Sequence, residues 1–316
     1  MKTLSMTAAA TLMATTAFAD IQTRGFTFQN EGATLSGTLY LPEGHDGTPL
    51  PTVIVTGAWT SVEEQMPRTY AEAMVERGFA AVTFDFRGWG KSGDLPDGVR
   101  FREDPTAKTA DIRAAIVHTA TLPEVDAGAL HGLGICASAG YMVDATAGNP
   151  MIQSVGLVAP WLHNAEIVEA VYDGVDGVAG LIDLGRTAAA HGGQIIPAAG
   201  PEGAEGVLMP IGGYYYESDR GAIPEYDNRW DNASWEGWLT YSPVDSASAF
   251  DKPLAIVHSE TAAIPQGVRA FVGRFAGETT QQWLEDVTQF DFYDNPEDVR
   301  RAADTMAAHF AAEPEL

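Results

Sequence analysis

The most informative stretch of this sequence is Gly132-Leu133-Gly134-Ile135-Cys136-Ala137-Ser138-Ala139-Gly140. Residues 129–134 are typical of a buried strand, and residues 137–147 have the pattern of a helix. Gly134 and Ser138 are small and stand two positions before and after the cysteine, so the chain can turn sharply between strand and helix. We therefore expect a tight turn that lifts the side chain of Cys136 above the edge of a sheet.

Cys136 is the only cysteine in the chain, so it forms no internal disulfide and cannot build a cysteine metal cluster. A lone cysteine is often only a small buried apolar residue. The position of Cys136 between strand and helix favours a chemical role, because the helix dipole stabilises a thiolate. We predict that Cys136 is a nucleophile whose pKa lies below the free value of about 8.5.

The rest of the chain alternates between predicted strands and helices. Residues 24–29 and 34–41 are predicted as paired strands, and later strands are predicted at residues 51–55, 80–84, 153–158, 253–257 and 281–284. Helices are predicted at residues 67–77, 108–120, 266–276 and 296–312. Because strands that alternate with helices form a parallel sheet covered on both faces, the predicted fold is a doubly wound, mostly parallel α/β sheet.

The alternation stops between residues 160 and 250, a segment rich in glycine, aspartate and aromatic residues. Helices are predicted there at residues 165–172 and 178–190. We interpret residues 160–250 as an inserted cap on a core formed by residues 20–159 and 251–316. The aromatic residues of the cap suggest an apolar or ring-bearing substrate, although aromatic clusters are more often part of a core.

Further motifs resemble a known family. The stretch Asp85-Phe86-Arg87-Gly88-Trp89-Gly90-Lys91-Ser92-Gly93 resembles the D-x-R-G-x-G-x-S-G loop of α/β-hydrolases, and residues 132–140 lie downstream at the distance where that fold has its nucleophile elbow. Residues 57–66, Pro160-Trp161-Leu162-His163 and residues 289–294 are similar to the dienelactone-hydrolase-like or polyketide-transferase-like branch. The resemblance covers nearly all of residues 20–316.

The resemblance implies an oxyanion hole formed by two backbone N–H groups. One donor is then Ala137, the residue after the cysteine. The other is Ala58 or Trp59, in the turn that follows the predicted strand at residues 51–55. The implied reaction is attack of Cys136 on the carbonyl carbon of an ester, lactone or thioester, which gives an acyl-enzyme that water or an acceptor alcohol resolves.

The sequence departs from the family at the acid and the histidine of the usual triad. Ala262 stands at the position of the acid, with Glu260 two residues earlier, and Gln289 stands at the position of the histidine. Glutamine cannot accept and return a proton at neutral pH. We expect Gln289 to be a neutral hydrogen-bond donor to the substrate or to the thiol.

The proton transfers then need another residue, and His163 is the first candidate. It follows the predicted strand at residues 153–158, so its loop should pass close to Cys136. We predict that His163, aided by Glu260, is the general base, and the alternative is a structural role in seating the cap. His258 also follows a strand and is the weaker candidate.

Two functions remain open from the sequence. One is a hydrolase or acyltransferase with Cys136 as nucleophile, and the other is a small-molecule-binding protein that kept the fold and lost the triad. The missing histidine favours the second. The cysteine favours the first, since a thiolate needs less help from a base than a serine hydroxyl does.

The composition limits the partners. The chain has 18 Lys+Arg against 43 Asp+Glu, a formal net charge of −25 at pH 7. Such a surface repels nucleic acid and anionic lipid, so we expect neither as a partner, and no apolar run is long enough for membrane insertion. No cofactor and no metal is implied. We expect a small-molecule acyl substrate, and the sequence leaves its identity and the oligomeric state open.

Residues 1–19 have the features of a signal peptide. Lys2 precedes an uncharged apolar run, and Ala17-Phe18-Ala19 has the small-x-small pattern that a signal peptidase cleaves. We predict a mature protein that begins at Asp20 and is periplasmic or secreted. N-terminal sequencing of the protein purified from its own host should start at Asp20, and intact Met1 in a cytosolic fraction would contradict export.

Overall fold

The computed structural model describes residues 21–312, so the predicted signal peptide lies outside the described residues. The strands are β1 (Ile21–Asn30), β2 (Ala33–Pro42), β3 (Leu50–Thr56), β4 (Ala80–Phe84), β5 (Val125–Ile135), β6 (Ile152–Val158), β7 (Ile195–Pro197), β8 (Arg229–Asp231), β9 (Leu254–Ser259) and β10 (Thr279–Leu284). The helices are α1 (Met66–Val75), α2 (Pro105–Thr119), α3 (Ser138–Thr146), α4 (Ala165–Val171), α5 (Gly174–Ala190), α6 (Trp235–Thr240), α7 (Pro243–Ser246), α8 (Pro265–Val272), α9 (Asp291–Asp294) and α10 (Pro296–Phe310).

Eight strands form one sheet in the order β1-β2-β4-β3-β5-β6-β9-β10. β2 pairs antiparallel with β1 and with β4, and every other neighbouring pair is parallel. All five residues of β4 are buried, as are residues 53–55 of β3, because helices cover both faces of the central strands. The predicted doubly wound, mostly parallel α/β sheet is confirmed.

The helices begin where the sequence supplies caps. The side chain of Asp104 accepts hydrogen bonds from the backbone N–H groups of Thr106 and Ala107 at the start of α2, and Asn295 has the same role at α10. In both helices a proline occupies the first turn, where its missing N–H costs nothing. α1 packs against α10, and α2 packs against α3, so each pair forms part of the covering of the sheet.

The segment between β6 and β9, which the sequence predicts to be a cap, contains α4 to α7 and a separate two-stranded sheet. β7 and β8 pair antiparallel in that small sheet, and α5 packs against α6. Among residues 21–312, no helix has both the length and the apolar character that are needed to cross a bilayer.

The strand order fixes where a ligand can bind. β3 lies between β4 and β5 in the sheet. The chain leaves β3 toward β4 on one side, and after β4 it crosses over to β5 on the other side of β3. Loops that leave the carboxyl ends of two such strands diverge and open a crevice. The crevice of this sheet therefore lies between the loop after β3 and the turn after β5, which contains Cys136.

Candidate active site

The backbone of Cys136 has the left-handed conformation of a nucleophile elbow, with φ of 55°. Its N–H donates to the carbonyl oxygen of Val158 at 3.1 Å, and its own carbonyl oxygen accepts from the N–H groups of Trp161 at 2.9 Å and Ala139 at 3.2 Å. A non-glycine residue in this region costs about 1–3 kcal/mol, which the surrounding hydrogen bonds must offset. The elbow is thus tied to both β6 and α3.

Small neighbours make this turn possible. A Cβ on Gly134 would lie 2.7 Å from the Cα of Ala139, closer than real Cβ atoms approach a backbone. Ser138 is fully buried, and its hydroxyl bonds the hydroxyl of Thr56 at 2.9 Å, which links the elbow to the end of β3. The sequence signal at positions 134 and 138 therefore has a direct steric and hydrogen-bonding cause.

Three donors surround the sulfur of Cys136. The backbone N–H groups of Ala137 and Trp59 and the hydroxyl of Tyr293 all hydrogen-bond it. Of the two residues predicted for the second backbone donor, Trp59 is the one that contacts the thiol, whereas the carbonyl oxygen of Ala58 accepts from Ser61. Two of the three donors are backbone N–H groups, the kind of donor from which an oxyanion hole is built.

The prediction for the pKa of Cys136 has the wrong sign. Burial raises the pKa of the thiol above its ordinary value, and the hydrogen bonds from Tyr293, Ala137 and Trp59 lower it by less. The side chain is only 7% exposed, so the loss of hydration disfavours the thiolate more than three donors and the helix dipole stabilise it. Cys136 is therefore mainly a neutral thiol at pH 7.

Tryptophans of the cap segment fix the turn that carries the backbone donor of Trp59. The ring of Trp59 lies 4.6 Å from that of Trp230 and 4.7 Å from that of Trp238, and it meets Trp235 edge-on at 6.2 Å. Aromatic packing of this kind holds a side chain in one orientation. These three rings thereby hold the turn that carries the backbone N–H of Trp59.

A cavity of about 370 Å³ opens beside the sulfur of Cys136. Six of its lining side chains are aromatic: Trp59, Trp161, Tyr215, Trp238, Phe290 and Tyr293. Among the fifteen described residues that line it, none has a charged side chain and none is a histidine. The cavity therefore suits an uncharged ligand with apolar or aromatic character, in the size range of small-molecule sites.

His163 does not line the cavity that contains the thiol, and the prediction that it is the general base needs correction. Its Nδ1 accepts a hydrogen bond from the indole N–H of Trp161 at 3.1 Å, and its Nε2 bonds the carbonyl oxygen of Trp238 at 3.1 Å. Both ring nitrogens are occupied, and burial lowers the pKa of His163 to about 4. His163 instead ties the loop after β6 to α6, which is the structural alternative.

Glu260 is also placed elsewhere. Its carboxylate forms an exposed ion pair with Arg269 and is not part of the cavity lining, so it cannot assist proton transfer at Cys136. The neighbouring residues Ala262 and Ala263 do line the cavity. His258 is buried with its ring 5.4 Å from that of Trp283 and does not line the cavity either.

Gln289 was predicted to donate a hydrogen bond to the substrate or to the thiol. It lies in the cavity wall, and its amide contacts the hydroxyl of Tyr293. The amide nitrogen donates to the hydroxyl of Tyr293 at 3.0 Å, and that hydroxyl bonds Cys136. Sequence reasoning missed Tyr293. The available signal was the four-residue spacing from Gln289, which places two side chains on one face of a helical turn.

Among the described residues, one acidic cluster could hold a metal ion by distance: Glu63, Glu64 and Asp85. Protein donors already satisfy much of it. Asp85 accepts from the backbone N–H groups of Glu63 and Lys91, and Glu63 accepts from the hydroxyl of Thr83. Burial raises the pKa of Glu63 to about 8 and that of Asp85 to about 6, so the pair is partly protonated at neutral pH. We assign the cluster a structural role in holding the loop that follows β4.

Comparison with known proteins agrees with this geometry. A family model described as FrsA-like esterase matches residues 4–143. The uncharacterized protein PA2218 of Pseudomonas aeruginosa is 36% identical over 138 residues, which are 43% of this chain and 36% of that protein. The polyketide transferase claH of Penicillium crustosum is 30% identical over 110 residues, which are 34% of this chain and 35% of that protein. The stretches matched in sequence thus span about a third of the length of each of these two relatives.

Two solved structures resemble the whole fold. The crystal structure of PA2218 has a TM-score of 0.78 at 23% identity and covers 96% of this chain and 99% of that one. The α/β-hydrolase GrgF from Penicillium sp. sh18 has a TM-score of 0.71 at 18% identity and covers 92% of this chain and 100% of that one. This chain therefore has the α/β-hydrolase fold, as its sequence predicts.

A substitution in the elbow tests its steric basis. Gly134→Ala should lower the free energy of unfolding by about 1–3 kcal/mol, because the added methyl group meets the backbone of α3. The control is Gly180→Ala in α5, where the new Cβ would meet nothing within 4 Å. That change should be neutral or stabilise by up to about 1 kcal/mol in urea unfolding. Equal effects of the two substitutions would contradict a sterically closed elbow.

The pH dependence of alkylation tests the state of the thiol. Because burial raises the pKa of Cys136, the thiolate is scarce at pH 7, and its population increases only as the pH rises past about 8.5. The rate of carboxamidomethylation by iodoacetamide, followed by intact mass, should rise over that range. Cys136→Ser should give no adduct. A rate that is already at its plateau at pH 6 would contradict the raised pKa.

Proposed function

We propose that this protein forms an acyl-enzyme on Cys136 from an uncharged ester or thioester, and acts as a hydrolase or acyltransferase. One observation supports this most strongly: the sulfur of Cys136 lies at a nucleophile elbow, faces two backbone N–H donors and opens onto a cavity of acyl-group size. These parts suffice for attack on a carbonyl carbon and for stabilisation of the resulting oxyanion.

The cavity and the net charge both favour a neutral acyl group. An anionic ligand would have to approach a protein of formal charge −25 and then lose its hydration in a wall without a cationic side chain. Aromatic rings instead offer stacking surfaces to a flat or apolar acyl chain. The match to an esterase family model and the relative described as a polyketide transferase are consistent with acyl chemistry.

We also propose that the protein is exported, on the signal-peptide features of residues 1–19.

A stoichiometric burst tests the acyl-enzyme. With p-nitrophenyl acetate at pH 8.5, the protein should release close to one equivalent of nitrophenolate, with the matching acetyl adduct on the peptide that contains Cys136. Cys136→Ala should abolish both signals, and Cys136→Ser should lower the rate by at least about a hundredfold, since a serine hydroxyl needs a general base. A burst of the same size in Cys136→Ala would place the chemistry on another residue and contradict the proposal.

A binding protein without catalysis is the second candidate, and the observation in its favour is the amide of Gln289 at the usual position of the histidine. On this alternative, aromatic ligands bind the cavity, and no acyl adduct forms at any pH. Quenching of tryptophan fluorescence by neutral aromatic esters, together with unchanged protein mass, would support it over the enzyme.

A further inference from the structure

The amide of Gln289 is fixed in one orientation. Its nitrogen donates to the carbonyl oxygen of Ala159 at 2.9 Å and to the hydroxyl of Tyr293 at 3.0 Å, and its oxygen accepts from the N–H of Ala263 at 3.0 Å. A backbone carbonyl only accepts and a backbone N–H only donates, so these two partners decide which end of the amide is which. Gln289 therefore donates to the hydroxyl oxygen of Tyr293.

The hydroxyl of Tyr293 is consequently oriented as a donor to sulfur. Because its oxygen accepts a hydrogen from Gln289, its own hydrogen is free to point at the sulfur of Cys136, which it bonds. The ring is 1% exposed and packed edge-on against Tyr214 at 5.2 Å. Burial raises the pKa of Tyr293 well above its ordinary value, so the hydroxyl keeps its proton.

We propose that Tyr293 is a catalytic hydrogen-bond donor to the Cys136 thiolate, that Gln289 positions it, and that the pair limits this site to acyl donors whose leaving group departs as a stable anion, above all thioesters. This inference rests on the proposed acyl-enzyme at Cys136. In this proposal Tyr293 and Gln289 act on the nucleophile as the histidine does in the usual triad. They differ from it because they stabilise the thiolate but do not protonate the leaving group.

The consequence follows from how the tetrahedral intermediate breaks down. Cys136 loses its proton to solvent, and its thiolate forms a C–S bond to the carbonyl carbon, whose oxyanion the N–H groups of Trp59 and Ala137 stabilise. With a thioester, the intermediate breaks its other C–S bond and expels a thiolate of similar basicity, which takes a proton from solvent. Protons and electron pairs balance, and no general acid is needed.

An alkyl ester cannot follow the same route. Its intermediate would have to expel an alkoxide, which is far more basic than the Cys136 thiolate, so the thiolate leaves instead and the substrate is regenerated. A histidinium ion, with a pKa near 6.5, protonates the alkoxide in the usual triad. A tyrosine hydroxyl, with an unperturbed pKa of about 10, is a far weaker acid, and burial makes Tyr293 weaker still.

A matched pair of acyl donors tests the leaving-group limit. S-benzoyl-N-acetylcysteamine and the oxygen ester of benzoic acid with N-acetylethanolamine differ in one atom, and intact mass measures benzoylation of Cys136 by each. The thioester should acylate the wild-type protein at least about a hundredfold faster, the size of a lost general acid. The double variant Ala262→Asp/Gln289→His restores both family residues. It should lower the ratio of the thioester rate to the oxygen-ester rate at least about tenfold.

The results separate this inference from the function it rests on. No adduct from either donor would overturn the acyl-enzyme and the inference with it. Adducts from both donors at similar rates in the wild type would leave the acyl-enzyme standing and overturn the leaving-group limit. A ratio that the restored His and Asp leave unchanged, in a variant that folds by circular dichroism, would show that the limit does not come from position 289.

The role of Tyr293 has its own readout in the alkylation profile. Tyr293→Phe should move the pH midpoint for iodoacetamide modification upward by about one pH unit or more, the value of a hydrogen bond to a charged group. The control Tyr214→Phe removes a neighbouring hydroxyl and should leave the midpoint unchanged. Gln289→Met should shift it in the same direction by less, and it replaces Tyr293→Phe if that variant does not fold. An unchanged midpoint in both site variants would overturn the proposal.

Discussion

The left-handed backbone at Cys136 is the constraint on which the rest of the site depends. It is held from both sides, by the carbonyl oxygen of Val158 and by the N–H groups of Trp161 and Ala139. Because these partners belong to β6, to the loop after it and to α3, the turn cannot relax without disturbing the centre of the sheet. The strain of this conformation is therefore offset by the most buried part of the fold, and the thiol is presented at the switch point between β3 and β5.

Desolvation then decides the chemistry at the thiol. The aromatic cavity that makes the site suitable for an apolar acyl group also removes water from the sulfur, and this raises the pKa of Cys136 despite the surrounding donors. In the usual triad a histidine meets this cost by taking the proton. Here Gln289 stands at the corresponding position and its amide nitrogen donates to the hydroxyl of Tyr293, so in the proposed mechanism the proton of the thiol goes to solvent.

The sequence predicts the fold closely because its signals are local. β4 is predicted at residues 80–84 and lies at Ala80–Phe84, since a fully buried strand reads as an unbroken apolar run. The elbow is predicted for the same reason, as small residues around Cys136 have a steric cause within a few positions. Backbone donors are harder to predict from sequence. Ala58 and Trp59 remained alternatives because the turn after β3 takes its shape from tryptophans that are distant in sequence.

Side-chain direction and burial are where sequence reasoning failed. His163 does follow a strand at the correct edge, but its ring is turned by Trp161 and by Trp238, which comes from a helix far along the chain. The pKa of Cys136 was predicted from a helix dipole, a local effect, whereas the larger effect of burial depends on the assembled cavity. Tyr293 was missed because Cys136, the residue that it contacts in the cavity, is remote in sequence.

A crystal structure of the protein after reaction with a neutral aromatic thioester tests the central claim most directly. The account predicts an acyl group bonded to the sulfur of Cys136, its carbonyl oxygen within hydrogen-bond distance of the N–H groups of Trp59 and Ala137, and its ring in the aromatic cavity. An unmodified sulfur beside an intact thioester, or an acyl group on any other residue, would contradict it.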